Sequence, residues 1–327
     1  MWLFRLVVHT KRKMLYLEDL ANELLLDLLE CYMTPYDVFN GFLNLNWRLN
    51  SLLNQIRFNI DLSSATRGGA GRKVLCLLPR LTASSSLHQI YHLILSDDPF
   101  HNQTTIFSKL IDLASLINLR SLTLIEPRTN DLIEAFIEKL SFLLHLETFS
   151  IKILENKNSY KIDCIHRIFN NIPTSLIKCL IHFDFLSLSV YDTVVTTPPH
   201  SILLNLKYLS ICLYSLDDLL YLINYIPQIA YLDVELLQRK NIDHTTTKMM
   251  NNIASLLPNL SHLKLRMVDV SFNHIQTLFE NHLKLKCLSL KSHYCLNREY
   301  LDANRWQKLI ESLPNLKQFH LSKYTCM

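Results

Sequence analysis

Apolar residues fall along this chain in a spacing that recurs: two positions separated by one residue, with a third apolar position three residues upstream of the pair. It reads Leu119/Leu122/Leu124, Leu146/Phe149/Ile151, Leu206/Leu209/Ile211, Ile229/Leu232/Val234, Leu260/Leu263/Leu265, Leu285/Leu288/Leu290 and Leu316/Phe319/Leu321, with Leu176/Cys179/Ile181 as a poorer copy. Alternate residues of a strand point to opposite faces, so the last two positions turn inward from one short strand while the first fills the turn before it. One such strand leaves an apolar face in water, and stacking successive strands removes it. A single copy in a leucine-rich sequence is accident; eight in succession are a signal.

Between the copies the period changes from two to about 3.6, the helical value. Leu132, Phe136 and Leu140 line one face before the second strand, Ile253, Leu256 and Leu257 precede the sixth, and Trp306, Leu309, Ile310 and Leu313 precede the last. Ser215 and Asp218 have capping-box spacing ahead of Leu219, Leu220 and Ile223, and Pro227, Pro258 and Pro314 end helices before strands. The copies begin 27, 30, 30, 23, 31, 25 and 31 residues apart, long enough for a full helix in each. The recurring Leu-Pro-Asn-Leu of 257–260 and 313–316, with Ile-Pro-Gln-Ile at 226–229, resembles the long intracellular class of leucine-rich repeats, although the usual asparagine after the strand is not evident. The expected fold is α/β: a leucine-rich-repeat horseshoe over 110–327, with short parallel strands inside and helices outside, against the plainer alternative of an irregular α/β domain.

The N-terminal part is organised differently. Residues 1–13 read as an extension. From 14 to 54, Leu17, Leu20, Leu24, Leu25 and Leu28 form a helical apolar stripe ending near Cys31. Thr34-Pro35-Tyr36-Asp37 then supplies a capping threonine, a proline at the first helical position and an aspartate able to reciprocate, so a second helix starts at Pro35 and runs through Val38, Phe39, Phe42 and Leu43. Trp47, Leu49, Leu52 and Leu53 continue into a third.

These three helices resemble an F-box, the module through which substrate receptors dock on the Skp1 adaptor of cullin-based ubiquitin ligases. Leu20-Ala21-Asn22-Glu23-Leu24-Leu25-Leu26-Asp27-Leu28-Leu29 is similar to the family's opening phrase, Thr34-Pro35-Tyr36-Asp37 to its second-helix cap, and Trp47 to its late tryptophan. Ala21 stands where the family usually has proline, and the basic pair beside the tryptophan is reduced to Arg48. The resemblance implies an adaptor contact through Leu20, Leu24, Leu25, Leu28, Pro35, Val38 and Trp47, with Leu28 and Trp47 assigned alternatively to the module's own core. The competing reading of the whole segment is a helical cap on the open end of the solenoid.

Residues 55–109 read as a linker with irregular first repeats. Phe58 to Leu62 alternates as a strand would, Val74, Cys76 and Leu78 suggest a second, and Leu87, Tyr91 and Leu95 suggest a helix. Ala65–Arg72 reads as an exposed loop.

Composition narrows the function. The 33 basic and 29 acidic side chains leave a formal charge of +4, too small and dispersed for a dedicated nucleic-acid binder. No apolar run reaches membrane-spanning length, and Met1–Val8 lacks the pattern of a signal peptide, so the chain reads as intracellular, cytoplasmic or nuclear. Eight cysteines without paired spacing read as free buried thiols, and His88 with His92 as a pair on a helix surface. Gly68, Gly69 and Gly71 lack the strand-to-helix context of a phosphate loop, and no cofactor, metal site or nucleophile–base set is visible. The expected function is non-catalytic: a receptor that docks on a Skp1-like adaptor, and through it a cullin, while its repeats hold an unknown target protein. The alternative is a leucine-rich-repeat interaction scaffold with no ligase role. Strand positions alternating with the buried ones define the target face, with Tyr208, Tyr231, Asp233, Glu235, His262, Lys264 and Arg266 as its centre. Its change of sign, from acidic at Asp233 and Glu235 to basic at Lys264 and Arg266, predicts a partner segment carrying both charges. A solvated face with local ion pairs is the plainer reading.

Overall fold

The computed structural model describes residues 8–10, 13–15, 17–63, 79, 81–82, 86–97, 103–127, 129–153, 163–183, 202–213, 215–236, 253–268, 270–279, 284–293, 300 and 302–324. The chain divides into two compact units, Met1–Ser121 and Leu122–Met327. The expected strand at Val74–Leu78 and the expected loop at Ala65–Arg72 lie outside the described residues.

The first unit opens with β1 (Val8–Thr10) paired antiparallel to β2 (Lys13–Leu15), then α1 (Asn22–Cys31), α2 (Pro35–Phe42) and α3 (Trp47–Leu53). Each of the last two begins where a side chain satisfies a helix-terminal N–H. Thr34 Oγ1 accepts from Asp37 N, and Asn46 Oδ1 accepts from Leu49 N. The Asp37 carboxylate accepts from the Thr34 hydroxyl at 2.6 Å. Ala21 caps α1 with no side-chain bond, but its φ of −61° is one a proline would hold. Asn44, at φ 62°, turns the chain from α2 toward α3 in the left-handed conformation that asparagine tolerates. Leu25, Leu29, Val38, Phe39, Phe42, Leu49, Leu52 and Leu53 are buried, and Phe39 packs on Phe58 with ring centres 5.1 Å apart.

Phe58 belongs to β3 (Phe58–Asp61), which pairs in parallel with β4 (Ile90–Ser96). Here the sequence misled. The helix expected from Leu87, Tyr91 and Leu95 is instead a short 3-10 turn at Ser86–Gln89 followed by β4, so His88 and His92 share no helix face. Ile90, Leu93 and Leu95 carry the same recurring spacing as the eight copies, and all three are buried. Pairing with β3 uses that pattern and overrides the four-residue one. Buried Gln89 donates from Nε2 to Leu53 O at 2.6 Å and Ile56 O at 3.3 Å, satisfying carbonyls at the end of α3. Beyond β4, α4 (Gln103–Leu110) begins at a Thr104 whose N–H and hydroxyl both donate to buried Asp97.

The second unit is a run of strand-and-helix repeats. Its strands lie in chain order: β5 (Ser121–Ile125), β6 (Thr148–Ile153), β7 (Lys178–Phe183), β8 (Tyr208–Leu213), β9 (Tyr231–Leu236), β10 (His262–Val268), β11 (Cys287–His293) and β12 (Gln318–Tyr324). From β6 onward the pairing is parallel and without register slip. Between the strands come α5 (Asn130–Lys139), α6 (Asp163–Asn171), α7 (Leu216–Ile223), α8 (Ile253–Leu256), α9 (Phe272–Phe279) and α10 (Ala303–Glu311). The capping box read at Ser215 and Asp218 is present in full at the start of α7.

The recurring apolar positions form the core. Leu176, Cys179 and Ile181, the poor copy, are as buried as the rest, whereas in the last copy Leu316 and Phe319 are half-buried and Leu321 is exposed, because β12 has a neighbouring strand on one side only among the described residues. Three helix faces differ by one position from the sequence pattern, the first being α8, where Leu256 is half-buried between buried Ile253 and Leu257. In α5, Ile133, Phe136 and Ile137 are buried while Leu132 is half-buried, and in α10 Ile310 is exposed beside buried Trp306 and Leu309.

What fixes the rise from repeat to repeat is backbone and asparagine. The first N–H of each strand donates to a carbonyl one repeat earlier: Lys178 to Glu147, Tyr208 to Ile177, Tyr231 to Lys207, His262 to Ala230, Cys287 to Ser261 and Gln318 to Lys286, at 2.9–3.1 Å. Asparagines just ahead of the strands repeat the theme. Asn205 Nδ2 donates to Thr174 O and Asn259 Nδ2 to Gln228 Oε1, both at 2.7 Å. Both bonds lie at the surface and tie one repeat to the one before it at the same place ahead of the strand. The asparagine that matters therefore precedes the strand instead of following it.

Candidate functional site

Parallel pairing in register lines the open face of the second unit's sheet into rows. One row runs Lys178, Tyr208, Tyr231, His262; the next runs Ser210, Asp233, Lys264; a third places Glu235 beside Arg266. Six of the seven residues expected at the centre of the target face stand on it half-buried or exposed.

The first row is a stack. The Tyr208 and Tyr231 rings lie 4.2 Å apart and 7° from parallel, His262 sits 6.0 Å from Tyr231 on the far side, and Lys178 Nζ lies 4.9 Å from the centre of Tyr208 on the near side. Adjacent parallel strands bring equivalent side chains within stacking distance, so identical residues in successive repeats form such ladders without further device. Burial, and next the hydrogen bond with Tyr208, push the Tyr231 hydroxyl up to about 12, which keeps it a neutral donor at physiological pH.

The second row holds the correction. Asp233, expected as an open acidic contact, has a side chain only 9 % exposed. It accepts from Lys264 Nζ and from Arg266 Nη2, each at 3.2 Å, while Arg266 Nη1 reaches Glu235 Oε2 at 3.3 Å. A carboxylate removed from water needs such partners, and here the two cations come from the neighbouring strand. Asp233 is thus an internal hub: the acidic and basic clusters that the sequence places side by side are paired with each other, as the plainer reading of a face with local ion pairs expects. Ser210 Oγ and Arg266 Nε, both buried, have no hydrogen-bond partner. Nearby His182 is held below its usual 6.5, mainly by burial.

In the first unit the predicted adaptor residues separate into three groups. Leu25 and Val38 are 0 % and 1 % exposed and belong to the helical core, which withdraws them from any contact surface in this conformation. Leu20, Leu28 and Pro35 are half-buried. Leu24 is 56 % and Trp47 82 % exposed, so Trp47 is not core. Arg48, the residue after Trp47, donates from Nη2 to Leu20 O at 2.5 Å and from Nε to Asn22 Oδ1 at 2.9 Å, placing the start of α3 beside the start of α1. Leu45, two residues before Trp47, is also 60 % exposed. Leu45 was not among the expected contacts; its signal was a leucine in a turn where nothing in the periodicity needs one.

Among the described residues no group of three His, Cys, Asp or Glu side chains is placed to hold a metal ion. The described thiols are unpaired, and burial raises Cys179 and Cys212 well above the usual thiol range, which makes them poor nucleophiles. Cys31 is exposed, contrary to the uniformly buried set expected. No described helix is long and apolar enough to cross a membrane.

No family model matches the chain, and no curated protein does. Solved structures that resemble it include internalin C2 of Listeria monocytogenes, 15 % identical with 76 % of this chain and 91 % of that one covered at a TM-score of 0.38. The internalin inlF of the same organism is 14 % identical, with 83 % and 78 % covered at 0.39. The leucine-rich repeat-containing protein LegL7 of Legionella pneumophila is 15 % identical, with 71 % and 90 % covered at 0.31. The repeat architecture itself rests on this chain's own register: parallel strands in unbroken chain order, each carrying the same apolar spacing, with helices between them wherever the connecting residues are described, save between β7 and β8.

Proposed function

We propose that this protein is a substrate receptor: its helical module docks on a Skp1-like adaptor, and through it a cullin, while the open face of the repeats holds a target protein for ubiquitin transfer carried out by other subunits. The support for this reading is the exposure of three large apolar side chains, Leu24, Leu45 and Trp47, on a module whose sequence resembles an F-box. Large apolar side chains left in solvent on one small module mark an interaction surface, and a tryptophan among them is a common anchor. The protein contributes proximity and orientation and no chemistry of its own, acting in the cytoplasm or nucleus. The second reading, a repeat scaffold without a ligase, is favoured by the loss of the proline at Ala21.

Co-purification decides between them. Full-length protein is expected to retain a Skp1-like adaptor, and Leu24→Asp with Trp47→Ala to lose it while unfolding at an unchanged temperature. Equal adaptor recovery from wild type and folded variant removes these side chains from the mechanism, and no recovery from either leaves the scaffold.

A further inference from the structure

The charge on the sheet's open face is unbalanced. Both acidic residues of the central strands are already engaged, Asp233 by Lys264 and Arg266, and Glu235 by Arg266. On the same face Lys178 stands between Thr148 and Tyr208, and Lys152 beside His182. Four basic side chains, Lys152, Lys178, Lys264 and Arg266, thus share the face with two acidic ones among the described residues of β6 to β10.

The aromatic stack decides what kind of acidic ligand fits. A single-stranded nucleic acid would use tyrosine faces as platforms for its bases. Both faces of Tyr208 are taken, one by Lys178 and the other by Tyr231, and both faces of Tyr231 are taken by Tyr208 and His262. What the stack leaves outward is ring edge, which carries the positive side of the aromatic quadrupole. The surface therefore offers positive edges flanked by ammonium groups.

We propose that this face binds an extended, acidic peptide segment of the target, with carboxylates meeting Lys178 and Lys264 across the tyrosine stack. This rests on the reading of the repeat face as the target-binding surface, and replaces the mixed-charge segment expected from sequence. Lys178 and Lys264 stand on β7 and β10, three strand intervals apart across the sheet and two residues apart along it, a span of about 16 Å, and an extended peptide advances about 3.3 Å per residue. Two acidic residues about five positions apart match that span.

The test is selection of a displayed random peptide library on the immobilised full-length chain, with fluorescence anisotropy of the best binders. Peptides enriched on wild type are expected to carry Asp or Glu about five residues apart. They should lose at least about tenfold in affinity on Lys178→Gln/Lys264→Gln protein or when their own carboxylates become amides, and weaken with added salt. Lys178→Gln alone, which breaks no ion pair, serves if the double variant unfolds. Neutral or basic winners, equal affinity for wild type and variant, no enrichment, or displacement of every peptide by single-stranded RNA at lower concentration each overturn the proposal. Adaptor co-purification reads the other surface, so failed selection with retained adaptor binding sinks the acidic-peptide site alone, and the reverse result sinks the ligase role alone.

Discussion

In the helical module Leu24 and Trp47 stand in solvent, while in the repeats Leu209, Leu232, Leu263 and Leu288, equivalent leucines of successive strands, are almost wholly buried. The contrast follows from geometry. Three helices of 10, 8 and 7 residues enclose a core that takes one face of each and leaves the start of α1 and the α2–α3 turn outside it. A repeat strand has a partner on either side and a helix behind it, so every inward position is covered and only the alternate row is free. The apolar residues left over in one region and the charged ones left over in the other suit two different kinds of partner.

Substitution at equivalent-looking leucines breaks the comparison most sharply. Leu209→Ala is expected to cost about 3 kcal/mol through lost burial and a cavity, and Leu24→Ala within about 0.5 kcal/mol, both read from urea midpoints. Comparable losses would mean that Leu24 is core. Next in size is Asp233→Ala, which strands Lys264 and Arg266 beside one another. Since both cations keep part of their solvent, a loss of about 2 kcal/mol is expected, reduced by adding salt; a stabilised variant would show the hub to be a net cost. Ser215→Ala, removing the capping box of α7, should cost about 1 kcal/mol, whereas Ser215→Asp retains the capping acceptor and most of the stability.

The smallest effect is one of pH. His182 titrates below its usual 6.5 because burial disfavours its charged form. The unfolded chain therefore binds the proton more readily, so this residue's contribution is intact above about 6.5 and declines as pH falls below it. His182→Gln should flatten the acid side of the melting-temperature profile, and a profile with unchanged slope would contradict the burial.

The repeats were legible because one residue type at three fixed positions produces the strand, the turn before it and the stacking direction together. Cys179 in place of leucine blurred one copy without altering its burial, since a thiol in that row is a small apolar group. Ile90, Leu93 and Leu95 hid a further copy behind the stronger-looking four-residue interval of Leu87, Tyr91 and Leu95, a conflict that only pairing with β3 resolves. Individual site residues were less legible. Sequence register identified Leu24 and Trp47 but could not tell the outer helix positions from Leu25 and Val38 inside. Nor could it show that Asp233 faces two cations on the next strand, because that pairing depends on a register set across a sequence separation of 31 residues, from Asp233 to Lys264.

Amide hydrogen exchange of the full-length chain, with and without a purified Skp1-like adaptor, tests most directly whether the two regions serve two partners. The account predicts that the adaptor slows exchange within α1 to α3, Asn22–Leu53, and leaves strands β8 to β10 unchanged. Slowed exchange in those strands, or none in the three helices, would contradict it.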